Sequence, residues 1–176
     1  MQIGQKIDSC PADLLLTPPI NVAVHKPMTN LERFADLETG YSGMLYPMEI
    51  DHMEHANVRY YSRAFNETAY YMFTFAGITP GYMREYDRGM AAVEEHHYYR
   101  REIQPGDHVV VKTCFIDFTE KWLHVWSVMI NRITDDICAI NDQRCIHFDT
   151  AARKSCPFPQ EIYERGRLLV RERPEV

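Results

Sequence analysis

Long apolar runs are missing from this 176-residue chain, and no stretch approaches the roughly 18 residues that a membrane-crossing helix needs. Membrane insertion is therefore not indicated, and the "LLL" at residues 14–16 lies in a Pro-containing stretch too short for a signal-peptide core. Basic residues are in deficit: 19 Lys and Arg stand against 25 Asp and Glu, and the formal charge of −6 argues against a nucleic-acid partner. Paired cysteines are missing too. Cys10, Cys114, Cys138, Cys145 and Cys156 form no CxxC, and an odd count at irregular spacing fits free thiols in a reducing compartment, so a cytoplasmic location is expected. His52, Glu54, His55, His96 and His97 are numerous, but no HExxH or Cys/His spacing places them as metal ligands. No Gly-rich phosphate loop occurs. What remains is 45% hydrophobic and 12% aromatic, the composition of an ordinary globular chain long enough for one domain with a sizeable core.

Pro11, Pro18, Pro19 and Pro27 interrupt any regular element at the start, so residues 1–40 read as an arm. Within it, "TNLERFADLETG" predicts a short helix near 30–38, because Thr29 and Glu32 have capping-box spacing and Gly40 offers a stop. A strand is expected around 44–50. Over 57–76, Val58, Tyr61, Phe65, Ala69, Met72 and Phe75 or Ala76 recur at three and four residues. That spacing puts them on one face of a helix about five turns long, ended by Gly77. Thr79 as cap and Pro80 at the first helical position predict a second short helix over 80–86.

After Gly89, "MAAVEEHHYYRREI", "HVVVKTCFIDF", "KWLHVWSVMINRI" and "ICAINDQRCIHFD" are rich in β-branched and aromatic residues and predict strands. The short separators "QPGD", "TE" and "TDD" predict that they form an antiparallel four-stranded meander. One long helix with one apolar face must be buried by a sheet curling round it, which makes the fold class α+β. The strand "KWLHVWSVMINRI" is apolar on both sides, with Trp122, Trp126, Val128 and Ile130 opposite Leu123, Val125 and Met129. Its outer face calls for a cover, for which a second subunit is the economical choice. Residues 159–176 read as a charged surface helix and tail, leaving 41–158 as the domain.

Between the first strand and the long helix lies "MEIDHMEHANVRYY". Asp51, His55 and Asn57 sit where the unpaired N–H groups of a first helical turn point forward, an arrangement suited to an oxyanion. A carboxylate held there could act as general base on water or as nucleophile toward an acyl carbon. The plainer alternative is that Asn57 caps the helix, Asp51 caps the turn and the histidines are solvated. Spacing alone favours the plainer alternative.

The surroundings shift that balance. Asp51, three residues, His55, one residue, Asn57, then Tyr60 and Tyr61 opening a long helix resembles the signature of hotdog-fold acyl-CoA thioesterases of the 4-hydroxybenzoyl-CoA thioesterase type. "GMAAVEEHHYYRREIQPGDHVVVKT" is similar to their second and third strands and "IHFDTAARKSCPFP" to the end of their last, so the resemblance covers about residues 44–159. It implies a hotdog fold, in which a curved antiparallel sheet wraps a long central helix. It also implies hydrolysis of an acyl-CoA to free CoA and a carboxylic acid, with coenzyme A entering as part of the substrate and no separate cofactor. Assembly would be a homodimer or homotetramer with active sites at subunit interfaces. The resemblance gives Asp51 the catalytic carboxylate role, gives the backbone N–H near His55 the polarising of the thioester carbonyl, and gives Asn57 the shaping of the loop or positioning of water.

One position departs from that pattern: the family commonly has glycine immediately before the histidine, where this chain has Glu54, a negative charge beside Asp51. Another branch of the fold carries its carboxylate on the long helix. There Glu67, the one acidic residue between Val58 and Ala76, is the second catalytic candidate.

Candidate substrate contacts are Glu54, Tyr60, Tyr61, Glu94, His96 and Arg153. "AAVEEHHYYRRE" with "IHFDTAAR" resembles thioesterases linked to carnitine and betaine metabolism, whose acyl group carries a trimethylammonium. Tyr60, Tyr61, Tyr98, Trp122 and Trp126 have ring faces for such a cation, although aromatic residues at this spacing also build cores. In a strand one of Glu94 and Glu95 must face inward and find a partner, with His96, His97, Arg100 and Arg101 within reach, either as a structural ion pair or as a substrate contact. Arg88, Arg100, Arg101, Arg153 and Lys154 are candidates for the CoA phosphates. Two other functions stay open: a hydratase or dehydratase that leaves the thioester intact, and a non-catalytic acyl-CoA-binding protein.

Overall fold

The computed structural model describes residues 27–176, so Cys10, Pro11, Pro18, Pro19 and residues 14–16 lie outside the described residues. The capping box at Thr29 forms as its spacing predicts: the Thr29 hydroxyl accepts the Glu32 N–H at 3.1 Å, and the Thr29 N–H donates to Glu32 Oε2 at 2.7 Å. The helix it opens, α1, spans only Asn30–Arg33. Gly40 does not stop it. Instead Gly40 lies inside β1 (Glu38–Met44), at a bulge where the register against β3 (His108–Phe118) shifts between Thr39 and Tyr41. The first strand thus comes earlier than the expected 44–50, and a single 3-10 turn at Pro47–Glu49 follows it.

The long helix α2 runs Val58–Phe75. Asn57 caps it through Oδ1, which accepts the Arg59 N–H at 3.0 Å, and Gly77 at φ 92° turns the chain out of it. Replacing Asn57 with alanine should cost about 1 kcal/mol of stability. In a chain of this size that lowers Tm by roughly 2–4 °C in a thermal melt. Tyr61, Phe65, Ala69, Met72 and Ala76 of the predicted stripe are buried, and Tyr60, Ala64, Thr68 and Phe73 widen it. Val58, the first residue of the helix, is exposed although it belongs to the predicted stripe. Next, α3 (Pro80–Glu85) is capped by Thr79, whose hydroxyl accepts the Tyr82 N–H at 3.1 Å.

Four strands follow: β2 (Arg88–Tyr99), β3, β4 (Trp122–Asn131) and β5 (Ile137–Asp149). They do not form a simple meander. The sheet order is β1-β3-β4-β5-β2, all antiparallel, with β2 paired to β5 rather than to β3. The cause lies in residues 100–107, which cross the sheet end instead of turning tightly. Along this crossing Ile103 O accepts the Ala56 N–H and Asp107 O accepts the Leu45 N–H, each at 2.9 Å. β1 takes the edge of β3 that this leaves open. The two-residue β6 (Lys154–Ser155) extends the far end of β5.

The sheet curls round α2, which packs on its inner face. The first half of the helix (Tyr60, Tyr61, Ala64, Phe65) meets Val109, Val111, Met129 and Ala139, while the second half (Ala69, Met72, Phe73, Ala76) meets Phe115, Leu123, Val125 and Cys145. The terminal helix α4 (Gln160–Leu168) belongs to this second cluster through Ile162, so it is not merely a surface element. Its Gly166 presses on Phe118, where a Cβ would lie 2.3 Å from the ring.

On the outer face, Trp126, Val128, Ile130, Val110, Cys114 and Ile140 are buried by Phe34 and Leu37, and the Phe34 and Trp126 rings lie 5.9 Å apart. The tail reinforces this cover, with Arg171 bonded to Asp36 at 3.1 Å and Arg173 to Asp142 at 2.6 Å. The chain therefore supplies the cover assigned above to a second subunit. Chain segments already tethered to the sheet do so without the entropic cost of association.

Candidate active site

Ile50 and Ala56 bridge as antiparallel partners, so residues 51–55 form a tight reversal in front of α2. Asp51 opens it. Its Oδ1 accepts the Met53 N–H at 2.8 Å, its carbonyl accepts the Glu54 N–H at 3.1 Å, and its own N–H donates to His55 O at 3.1 Å. Aspartate suits this place because its side chain mimics a backbone turn.

The reversal leaves Glu54 at φ 65°, in the left-handed region where glycine is favoured. The glycine common in the resembling family thus answers a backbone demand, and Glu54 meets it under strain with its side chain exposed to solvent. Glu54→Gly should relieve that strain against glycine's larger chain entropy, a net gain of about 0.5–1 kcal/mol. Tm should then rise by roughly 1–4 °C. A lower Tm would show that the Glu54 side chain holds the loop.

Asp51 and His55 share a cleft of about 380 Å³ with Ala56, Val58 and Tyr61. Its opposite wall is the start of the 100–107 crossing: Tyr99, Arg100, Arg101 and Glu102. His55 is placed by two neighbours, with Nδ1 3.3 Å from Ala56 O and Nε2 3.8 Å from a Glu102 carboxylate oxygen. Tyr61 meets Tyr99 edge-on at 5.1 Å, and burial, followed by the nearby Cys138, pushes the Tyr61 hydroxyl up to about 12. The Arg100 and Arg101 N–H groups both donate to Cys138 O, at 2.8 and 3.1 Å, and their guanidinium groups make no ion pair among the described residues.

At the helix start the donors are mostly spoken for. The Asn57 N–H bonds to Glu49 O and the Tyr60 N–H to Asn57 O, each at 2.8 Å, while Arg59 is held by the Asn57 side chain. The Val58 N–H has no acceptor among the described residues, and Val58 lines the cleft. The cleft is therefore lined by an aspartate and by the first residue of a long helix, at that helix's positive end.

The other candidates lie elsewhere. Asn57 serves as the helix cap. Glu67 is exposed on α2 and pairs with Arg63 at 3.3 Å, and Arg63 also bonds Glu49. Tyr60 packs against Tyr41, and burial first, then Tyr41, holds its hydroxyl far above the ordinary range. Glu94 and His96 bond each other at 2.8 Å on the outer face, where Arg144 also reaches Glu94 at 2.8 Å. These partners, His96 first, keep the Glu94 carboxyl below the usual carboxylate range. Arg153 is exposed in the turn after β5 at φ 57°, and Arg88 is tied to Asp149 at 2.8 Å.

The inward member of the glutamate pair is Glu95. It accepts from His97 Nε2 at 2.7 Å and Asn141 Nδ2 at 2.9 Å, and the His97 bond, against burial, holds its carboxyl low. Sequence reasoning missed Tyr99 and Glu102 in the cleft wall. The doublets of "EEHHYY" signal that one residue of each pair faces inward, but not which one.

The sequence pattern of the thioesterase-like superfamily matches residues 45–166. A Rhizobium sp. protein described as L-carnitine dehydrogenase/betainyl-CoA thioesterase is 24% identical over 121 residues. The match takes in 68% of this chain, which spans only 24% of that protein's length. Among solved structures, a Staphylococcus aureus protein in complex with CoA superposes with a TM-score of 0.72 at 18% identity, over 80% of this chain and 89% of that one. The 1,4-dihydroxy-2-naphthoyl-CoA thioesterase of Synechocystis gives a TM-score of 0.64 at 12% identity, over 73% and 96%.

Proposed function

The chain belongs to the thioesterase-like superfamily and has the hotdog fold, and from that premise we propose that it hydrolyses an acyl-CoA thioester in the cleft before α2. The observation that carries this reading is that Asp51 and Val58, whose N–H has no acceptor among the described residues, line one cleft at the start of α2. Asp51 Oδ1 is held by the Met53 N–H, which aims the carboxylate and leaves its other oxygen to activate water or attack the acyl carbon. The Val58 N–H and the helix end face the charge that develops on the thioester oxygen. A C–O bond forms, the C–S bond breaks, and the thiolate takes up the proton that water gives up, so the products are an acid and free CoA. Arg100 and Arg101, without ion pairs at the cleft mouth, suit the CoA phosphates.

The working unit on this reading is a homodimer or homotetramer. The outer edge of β2 has no strand partner among the described residues, and pairing two copies there extends both sheets while bringing the Tyr99 walls together. A cytoplasmic home fits the four described cysteines, all free thiols, and no described helix is long and apolar enough to cross a membrane. The curated relative's betainyl-CoA thioesterase activity and the neighbour's bound CoA support a CoA thioester as substrate.

A panel of acyl-CoA esters followed by thiol detection tests the proposal, and the expected result is saturable thiol release for at least one member. Products that gain or lose water with the thioester intact would assign a hydratase or dehydratase instead. Tight binding without turnover would assign an acyl-CoA-binding protein.

A further inference from the structure

β2 ends in the doublets "EEHHYY", and strand alternation sends one glutamate, one histidine and one tyrosine to each face of the sheet. The two sets differ. On the outer face His96 bonds Glu94 at 2.8 Å, and no hydrogen bond carries on to Tyr98 among the described residues. On the inner face, where His97 meets Phe65 and Tyr99 meets Tyr61, three bonds run in series. Asn141 Nδ2 donates to Glu95 Oε1 at 2.9 Å, His97 Nε2 lies 2.7 Å from the same oxygen, and the Tyr99 hydroxyl lies 3.3 Å from His97 Nδ1.

The series has a direction. A carboxylate accepts and cannot donate, so His97 Nε2 keeps a hydrogen toward Glu95, and Nδ1 is the ring nitrogen that gains and loses one. The His97 bond holds the Glu95 carboxyl below the usual carboxylate range against its burial, which keeps that acceptor charged near neutral pH. Among the described side chains Nδ1 has the Tyr99 hydroxyl as its partner, and the ring is steadied by Phe65, edge-on at 5.3 Å. A hydroxyl, an imidazole and a carboxylate, each within reach of the next, can move a proton through the hydroxyl and settle the resulting charge on the ring.

The tyrosine end of the series belongs to the thioester cleft. Tyr99 lines the wall opposite Asp51, with its ring edge-on to Tyr61 of the same cleft at 5.1 Å. Burial first, then Glu95, pushes the Tyr99 hydroxyl up, so it enters a turnover carrying its proton. Thioester hydrolysis needs a proton accepted at the attacking water and a proton given at the departing sulfur. Asp51 serves the first of these from one wall, and the second calls for a donor.

We propose, resting on the thioesterase reading, that Tyr99 is the catalytic proton donor to the departing sulfur, with His97 and Glu95 as the positioning residues that resupply it.

The step balances. The water oxygen bonds to the acyl carbon as Asp51 takes a water proton, and the C–S bond breaks with its electron pair on sulfur. Sulfur takes the Tyr99 hydroxyl proton, and the Tyr99 oxygen takes the proton on His97 Nδ1. His97 keeps its Nε2 hydrogen on Glu95 and regains the Nδ1 proton from solvent as Asp51 releases its own.

The experiment compares two thioesters of one acyl group: the CoA ester, whose thiolate needs a proton, and the ester of a strongly acidic aromatic thiol, which leaves as the anion. Tyr99→Phe, which removes the hydroxyl and keeps the ring, should lower kcat on the CoA ester by about 10²-fold, and its effect on the acidic-thiol ester should be at least about ten-fold smaller. His97→Gln and Glu95→Gln should show the same dependence on the leaving group with smaller losses, because each acts through Tyr99. Thermal melts establish that the variants fold. Tyr99 is half exposed, so Tyr99→Phe decides alone if a variant at 95 or 97 does not fold. Equal losses on the two esters, or no loss on either, overturn the inference while leaving the hydrolase reading intact. So does a loss in Tyr99→Phe that folded His97→Gln and Glu95→Gln do not share. Absence of turnover of both esters by the wild-type chain overturns the hydrolase reading and this inference with it.

Discussion

Asp51→Asn is expected to lower kcat on the best acyl-CoA by about 10³-fold, the scale of removing a positioned base or nucleophile. That corresponds to about 4 kcal/mol of transition-state stabilisation. The substitution isolates charge from architecture. The carboxamide oxygen that it introduces can accept the same Met53 N–H that Asp51 Oδ1 accepts at 2.8 Å, so the 51–55 reversal and the cap of α2 should survive and Tm should hold. Steady-state thiol release with a parallel thermal melt reads both quantities. The comparison variant is Glu67→Gln, whose side chain is exposed and paired with Arg63 outside the cleft. A large loss in Glu67→Gln with none in Asp51→Asn would move the catalytic role to the helix carboxylate.

The second large effect concerns the frame that holds the cleft. Gly40→Val should destabilise the chain by about 3 kcal/mol through overpacking. In a domain of this size Tm then falls by roughly 6–12 °C. A Cβ at position 40 would lie 2.5 Å from Thr68 Cγ2 and 3.0 Å from the Thr68 Cα, so the clash reaches the helix backbone and cannot be relieved by a rotamer change alone. The bulge at Gly40 is where β1 presses on α2, and added bulk there must lift either the strand or the helix. Retention of Tm would mean that this contact is looser than its distances show.

Gly40 also marks where local reading of the sequence fails. A glycine after a short amphipathic stretch has the form of a helix stop, and nothing nearby reveals that residue 68 on another element will press against it. The same limit governs β2. Its composition makes it a strand, but its partner depends on how residues 100–107 travel, and eight residues leave both routes open. The outer face of β4 was legible as apolar, but its cover by Phe34 and Leu37 was not, because short segments around a single turn of helix carry no periodicity.

What was legible is what periodicity and capping chemistry control. α2 begins beside Asn57 and ends before Gly77, α3 begins after Thr79, and Asp51 and His55 meet in one cleft. The sequence also marked Glu54 as a departure, and the dihedral at that residue supplies the reason. The remaining cleft wall, Tyr99 to Glu102, was hidden because strand alternation leaves two phases open until register is known.

The most direct test of a hydrolytic cleft at Asp51 is to run the best acyl-CoA in ¹⁸O-labelled water over many turnovers and measure free CoA and the released acid together. Hydrolysis predicts one CoA per acid, with one labelled oxygen in each acid carboxyl, and loss of both products in Asp51→Asn. A CoA ester that stays intact while gaining label on its acyl chain, or full activity in Asp51→Asn, would contradict it.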